Sequence, residues 1–243
     1  MFEQDVDIQT EDGICPGFFA HPDGKGPYPA VILYMDAPGI REELRNFARR
    51  IADQGYFCLL PDMYYRLGSV RFNLAKRDDA MSAVIKTCRD SIHNALIVRD
   101  TAGWLAFLSR HPQAANGPKG CVGYCMSGQY VLSAVGSYPD AFAAGATLYG
   151  VGMVTDKPDS PHLLIDKVKA ELYMGFAETD PLVPDNVIPD LEAALTKHGV
   201  QYRLDVPPGT RHGYCFPERA VYKEQAAEDA WTKIFDLYQR TLK

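Results

Sequence analysis

No stretch of this sequence approaches the roughly 18–20 consecutive apolar residues that a membrane-crossing helix requires, so no membrane partner is expected. Positive charge is in deficit: 25 Lys and Arg stand against 31 Asp and Glu, a net charge of −6. Without a basic surplus, and without a basic cluster interleaved with aromatics, nucleic acid is excluded as a partner. The six cysteines, at 15, 58, 88, 121, 125 and 215, have no paired spacing. That pattern implies reduced thiols in a cytoplasmic setting rather than a disulfide framework. Cys121 and Cys125 are separated by three residues instead of two, and no second pair completes a zinc site; no metal and no cofactor is expected. The first ten residues are acidic and strand-like, unlike a signal peptide. Linkers, repeats and low-complexity segments are also missing, which predicts one domain over residues 1–243.

What is present is ordinary for a globular protein: 243 residues, 47% hydrophobic and 23% charged, long enough to bury a substantial core. Residues 2–9 and 14–20 flank Glu11-Asp12-Gly13, a turn signal, and read as an antiparallel hairpin. From residue 30 onward short apolar runs alternate with helical periodicity. Strands are predicted at 30–34, 57–60, 121–122, 143–148, 171–176 and 201–206, and helices at 42–54, 129–138, 186–198 and 218–242. Residues 74–110 carry two further helical patterns. The alternation predicts an α/β fold, a mostly parallel central sheet covered by helices, with the hairpin added at one edge.

The informative stretch is 119–128, KGCVGYCMSG. A short apolar strand ends at Gly123, Cys125 stands between small residues, and helical spacing follows. This is a cysteine version of the Gly-x-Ser-x-Gly nucleophile elbow, in which a sharp strand-to-helix turn presses backbone against backbone. Free cysteines commonly serve only as small buried hydrophobes. Here the flanking Gly123 and Gly128 reverse that reading. Placing Cys125 at a helix N-terminus favours a thiolate, and the same amides can stabilise a developing oxyanion.

A cysteine nucleophile requires a base, and the base an orienting acid. Of six histidines, His212 follows the last core strand in PPGTRHGY; the other five have ordinary structural explanations. Asp180, in FAETDPLVP after strand 171–176, lies between nucleophile and histidine in the chain, with Glu178 and Asp185 as neighbouring alternatives. Nucleophile, acid, histidine is the chain order of α/β-hydrolases. Cys125, His212 and Asp180 are therefore read as a triad, with the amides of Met126 and Ala37 as the oxyanion hole. Asp36 either caps the helix beginning near Arg41 or sits by the thiol and modulates its protonation; the second reading is preferred. Tyr149 is placed to donate to a substrate or to Asp36. Tyr64, Tyr65 and Arg66 follow another strand end and are candidates to line the pocket.

At nearly full length the chain resembles the dienelactone hydrolase family, α/β-hydrolases with a Cys-His-Asp triad. GCVGYCMSG resembles the family's elbow, Asp180-Pro-Leu-Val-Pro its acid turn, His212-Gly its histidine loop, and Tyr149-Gly-Val-Gly its tyrosine-containing strand end. Two positions depart from the dienelactone-cleaving members. Asp36 replaces a Glu that contacts the resting thiol, and Phe216 replaces an Arg, four residues beyond the histidine, that holds a substrate carboxylate. Arg219 and Arg211 are the nearby cations. The resemblance implies an α/β-hydrolase cleaving ester or lactone bonds through an acyl-enzyme, acting on a small molecule as a monomer or homodimer. Activated phosphoester hydrolysis is a conceivable side activity of the same site. The competing reading is a non-catalytic binding or redox-sensing protein on the same fold.

Overall fold

The computed structural model describes all 243 residues, Met1–Lys243, and divides into two compact units, Met1–Gly117 and Pro118–Lys243. No helix is long and apolar enough to cross a membrane.

In the first unit, β1 (Phe2–Thr10) and β2 (Gly13–His21) form the expected antiparallel hairpin, turned at Gly13 with φ of 124°. The strands β3 (Ala30–Tyr34) and β4 (Phe57–Pro61) pair in parallel, and β2 runs antiparallel to β4, giving the order β1-β2-β4-β3. Every residue of β3 and β4 is buried, as continuous apolar runs require of strands covered on both faces. Helix α1 (Glu42–Asp53) buries Leu44, Phe47, Ala48, Ile51 and Ala52, a stripe at three- and four-residue spacing. The 74–110 region resolves into α2 (Asp79–Asp90) and α3 (Asn94–Arg110). His93, expected inside a helix, is instead the N-cap of α3 and accepts a hydrogen bond from the Leu96 amide at 3.4 Å. Helix α3 lies close on β1: a Cβ on Gly103 would come within 2.9 Å of the Gln9 carbonyl oxygen.

In the second unit, β5 (Lys119–Tyr124), β6 (Phe142–Leu148), β7 (Glu171–Gly175) and β8 (Tyr202–Asp205) are all parallel and stand in that order. Helices α4 (Gly128–Ser137), α5 (Val187–Lys197) and α6 (Glu224–Leu242) complete it. Alternation along β5 assigns two helices to opposite faces: Gly120 is backed by Tyr238 and Leu242 of α6, Gly123 by Val131 of α4. Because the four strands are parallel, residues 125, 149, 176–184 and 206–213 follow strand ends on the same edge. That edge is where open α/β sheets bind ligands.

Helix α6 starts six residues later than its periodicity predicts. Pro217 lies in a run of tight turns in which Phe216 N bonds Gly213 O, Arg219 N bonds Phe216 O, and Lys223 N returns to Tyr214 O. The helical pattern of 218–223 is spent on these turns instead.

The loop after β4 has a structural task. Asp100 of α3 is fully buried and receives both terminal nitrogens of Arg66, at 2.8 and 2.7 Å, and the Tyr65 hydroxyl at 3.1 Å. Arg66 also donates from Nε to Asp12 in the hairpin turn at 2.8 Å. These contacts account for Tyr65 and Arg66 as a clamp between β1–β2, the β4 loop and α3. Removing the cation strands a buried carboxylate. Arg66→Ala is expected to lower unfolding free energy by about 3 kcal/mol in urea titrations, and Arg66→Met with Asp100→Asn to recover most of it.

Candidate active site

The elbow forms as its sequence predicts. Strand β5 ends at Tyr124, residues Cys125–Ser127 make one 3-10 turn, and α4 begins at Gly128. Cys125 has φ of 56°, a left-handed backbone that costs a non-glycine residue about 1–2 kcal/mol. Its neighbours hold it there. A Cβ on Gly123 would lie 2.8 Å from the Ser127 carbonyl oxygen and 2.9 Å from Val131 Cγ2. One on Gly128 would lie 2.4 Å from the Gly150 Cα, backbone against backbone. The Val151 amide closes the contact by donating to the Cys125 carbonyl at 2.9 Å. Gly128 is needed for this close approach and not for its dihedral, which is ordinary helix (φ −55°). Of the six free cysteines only Cys125 is not buried. Burial pushes the thiols of Cys15 (to about 12), Cys58, Cys88 and Cys121 upward.

His212 and Asp180 meet: Nδ1 of the ring lies 2.7 Å from Asp180 Oδ2. The carboxylate is almost wholly covered, with 3% of its side chain exposed against 14% for the imidazole. Asp180 Oδ1 accepts the Leu182 amide at 3.0 Å, which orients the carboxylate and leaves Oδ2 for the ring. The other nitrogen, Nε2, is buried and makes no formed hydrogen bond. Burial alone would push the ring's pKa down, but the Asp180 hydrogen bond and the adjacent Cys125 outweigh it and raise it to about 9. Of the alternative acids, Glu178 accepts the Gly209 amide at 2.8 Å and so braces the histidine loop.

An aromatic cluster walls the pair. Tyr149 is buried at φ of 38° and stands edge-on to His212, with centroids 5.0 Å apart at 64°. Tyr214 packs edge-on to Tyr149 at 5.3 Å, and Phe216 on Tyr124 at 5.3 Å. Phe216 is fully buried, and the Arg219 guanidinium carbon sits 5.1 Å from its ring centroid. Tyr124 and Tyr214 escaped sequence reasoning because nothing in their spacing distinguishes a wall of this site from general core.

The remaining candidates lie in the first unit. The fully buried Asp36 is bound by both terminal nitrogens of Arg41, the second at 3.2 Å. The N-cap of α1 is Arg41 itself, which the Asp36 carboxylate holds. Ala37 follows it, half-buried, with its carbonyl held by the Tyr64 hydroxyl at 2.9 Å. Tyr64 is buried in this contact and fixes the peptide from the carbonyl side. Met126, fully buried, supplies the first amide after Cys125. No group of three or more His, Cys, Asp or Glu side chains is arranged to hold a metal ion.

The model of the dienelactone hydrolase family matches residues 15–242. A protein of Synechocystis sp. named "Putative carboxymethylenebutenolidase" is 30% identical over 241 residues, covering 98% of this chain and 96% of that protein. Among solved structures, a dienelactone hydrolase-like promiscuous phosphotriesterase from metagenomic libraries superimposes with a TM-score of 0.83 at 21% identity, covering 100% of this chain and 99% of that one. A dienelactone hydrolase from Anabaena variabilis gives 0.70 at 18% identity, with 100% and 99% covered. The α/β-hydrolase fold expected from the sequence is the fold of these neighbours.

Two outcomes follow from the site's construction. Gly128→Ala forces two backbones apart, and both the thermal midpoint and the reactivity of Cys125 toward iodoacetamide are expected to fall; unchanged values would contradict the close-approach argument. Because His212 is raised above its unfolded value of about 6.5, it stabilises the folded state fully below that pH, and the contribution fades as pH rises through about 9. The stability difference between wild type and His212→Gln, from urea titrations at pH 6 to 10, is therefore expected to shrink with rising pH.

Proposed function

The chain belongs to the dienelactone hydrolase family, a family of hydrolases, and from that premise we propose that it cleaves esters or lactones of small molecules through Cys125, His212 and Asp180. The observation that carries this reading is the His212–Asp180 hydrogen bond at the strand edge where Cys125 sits on its left-handed elbow. Asp180 and Cys125 hold the ring above its ordinary range, so the proton that leaves the Cys125 thiol is stabilised on His212 as an imidazolium. His212 takes the Cys125 proton and the sulfur attacks the carbonyl carbon. The oxyanion is accepted by the Met126 amide, the first after Cys125. The imidazolium then protonates the departing alkoxide, leaving a thioester. Water, deprotonated by His212, attacks that thioester; collapse returns the thiol and releases the acid. Asp180 holds the imidazole tautomer throughout.

A thiolate leaves more readily than an alkoxide, so activated esters with good leaving groups are the favoured substrates. Phe216, closed into the aromatic wall, offers no charge to a substrate carboxylate, which favours neutral acyl groups over anionic ones. The family model runs across the boundary between the two units, in support of a single functional domain. Six free cysteines fit a reducing, cytoplasmic setting. The test is release of p-nitrophenol from p-nitrophenyl acetate and butyrate. Cys125→Ala is expected to lose on the order of 10³-fold or more in kcat/KM. Equal slow turnover by both proteins would sink the triad and leave a binding or redox-sensing role, in which Cys125 is alkylated without turnover.

A further inference from the structure

The ladder between β7 and β8 ends at Gly175 and Asp205, with one further bond from Phe176 N to Asp205 O at 2.8 Å. Two prolines, Pro207 and Pro208, follow on the β8 side. Neither can donate a backbone hydrogen bond, so the pairing cannot continue through them. Yet the two chains rejoin before they reach the site: Thr179 and Arg211 form a parallel bridge, and Thr179 N donates to Thr210 O at 3.1 Å.

Two side chains span the break, and the buried one is Thr210. The hydroxyl of Thr210, with the residue 1% exposed, donates to Pro207 O at 2.6 Å and accepts from Glu178 N at 3.0 Å. One bond closes the Pro-Pro-Gly turn, and the other ties that turn to the acid loop. Beside it, Gly209 at φ of 69° donates to Glu178 Oε2 at 2.8 Å. Glu178 is two residues before Asp180, and Thr210 two residues before His212. The Thr210–Glu178 contact is thus a rung immediately upstream of the Asp180–His212 contact, and the separation of the two loops at the first constrains their separation at the second.

We propose that Thr210 is a positioning residue whose buried hydroxyl sets the Asp180–His212 contact across the gap left by Pro207 and Pro208; its effect on turnover rests on the triad reading above. Thr210→Val keeps the shape and removes the hydroxyl, leaving the Glu178 amide and the Pro207 carbonyl without that partner. The loops then part, and the Asp180 contact that raises the ring weakens. Misplacement of a base by even about 1 Å costs up to roughly 100-fold in rate.

The experiment combines proton NMR of the His212 ring with p-nitrophenyl butyrate kinetics, on wild type, Thr210→Val, Thr210→Ser and Glu178→Ala. In Thr210→Val the low-field Nδ1–H resonance is expected to broaden or disappear. The ring's titration midpoint is expected to move down from about 9, and kcat to fall roughly 10- to 100-fold with KM changed less than about twofold. Thr210→Ser is expected to restore all three. Glu178→Ala, at an exposed position, should move the ring in the same direction by less, and it serves if Thr210→Val does not fold. A merely structural threonine would lower the thermal midpoint without moving the ring's titration. Wild-type resonance and titration in both Thr210→Val and Glu178→Ala overturn the proposal. The NMR readout stands apart from turnover, so failure of the triad, seen as full activity in Cys125→Ala, is distinguishable from failure of the positioning role.

Discussion

The left-handed backbone at Cys125 is the constraint on which the second unit turns. A non-glycine residue adopts that conformation only where its surroundings over-determine it. Here three things do so: the missing Cβ atoms of Gly123 and Gly128, the backbone of Gly150 pressed against Gly128, and the Val151 amide on the Cys125 carbonyl. Together they come from three segments, so the elbow exists only when β5, α4 and the residues after β6 are all in place. The outcome is the one thiol of six that is not buried.

A second left-handed residue, Tyr149, extends the same construction toward the base. Its amide donates to Gly175 O at 2.6 Å, which anchors it between β6 and β7, and its ring meets His212 edge-on. Aromatic pairs in this geometry contribute about 0.5–1.5 kcal/mol each beyond their burial. The ring of His212 is therefore located from one side by Tyr149 and from another by Asp180. The Asp180 carboxylate is almost wholly covered, which strengthens the hydrogen bond between it and the ring.

In the first unit buried charge has the comparable role. Asp36 and Asp100 are fully buried, and each is held by both terminal nitrogens of an arginine, Arg41 and Arg66. Pairs of this kind add little net stability over an apolar replacement, but they tolerate only one arrangement of the loops that carry them. Arg66 locates the segment after β4, and that segment carries Tyr64, whose hydroxyl holds the Ala37 peptide.

Sequence by itself determined the alternation of strands and helices, the hairpin, the elbow and the order of Cys125, Asp180 and His212. Those features are local: periodicity, turn chemistry and small residues around a reactive one act within a few positions of each other. The start of α6 departs from its periodicity because helical spacing across 218–223 does not reveal that Pro217 and the bond from Lys223 N to Tyr214 O bend the chain first. Only the tertiary structure decided which groups partner which. Asp36 carries no local sign that Arg41 will bind it, Gly150 none that it must admit Gly128, and Thr210 none that it spans the gap after Pro207 and Pro208. Such pairings depend on where separate strand ends arrive in space, and that is settled by the packing of the whole unit.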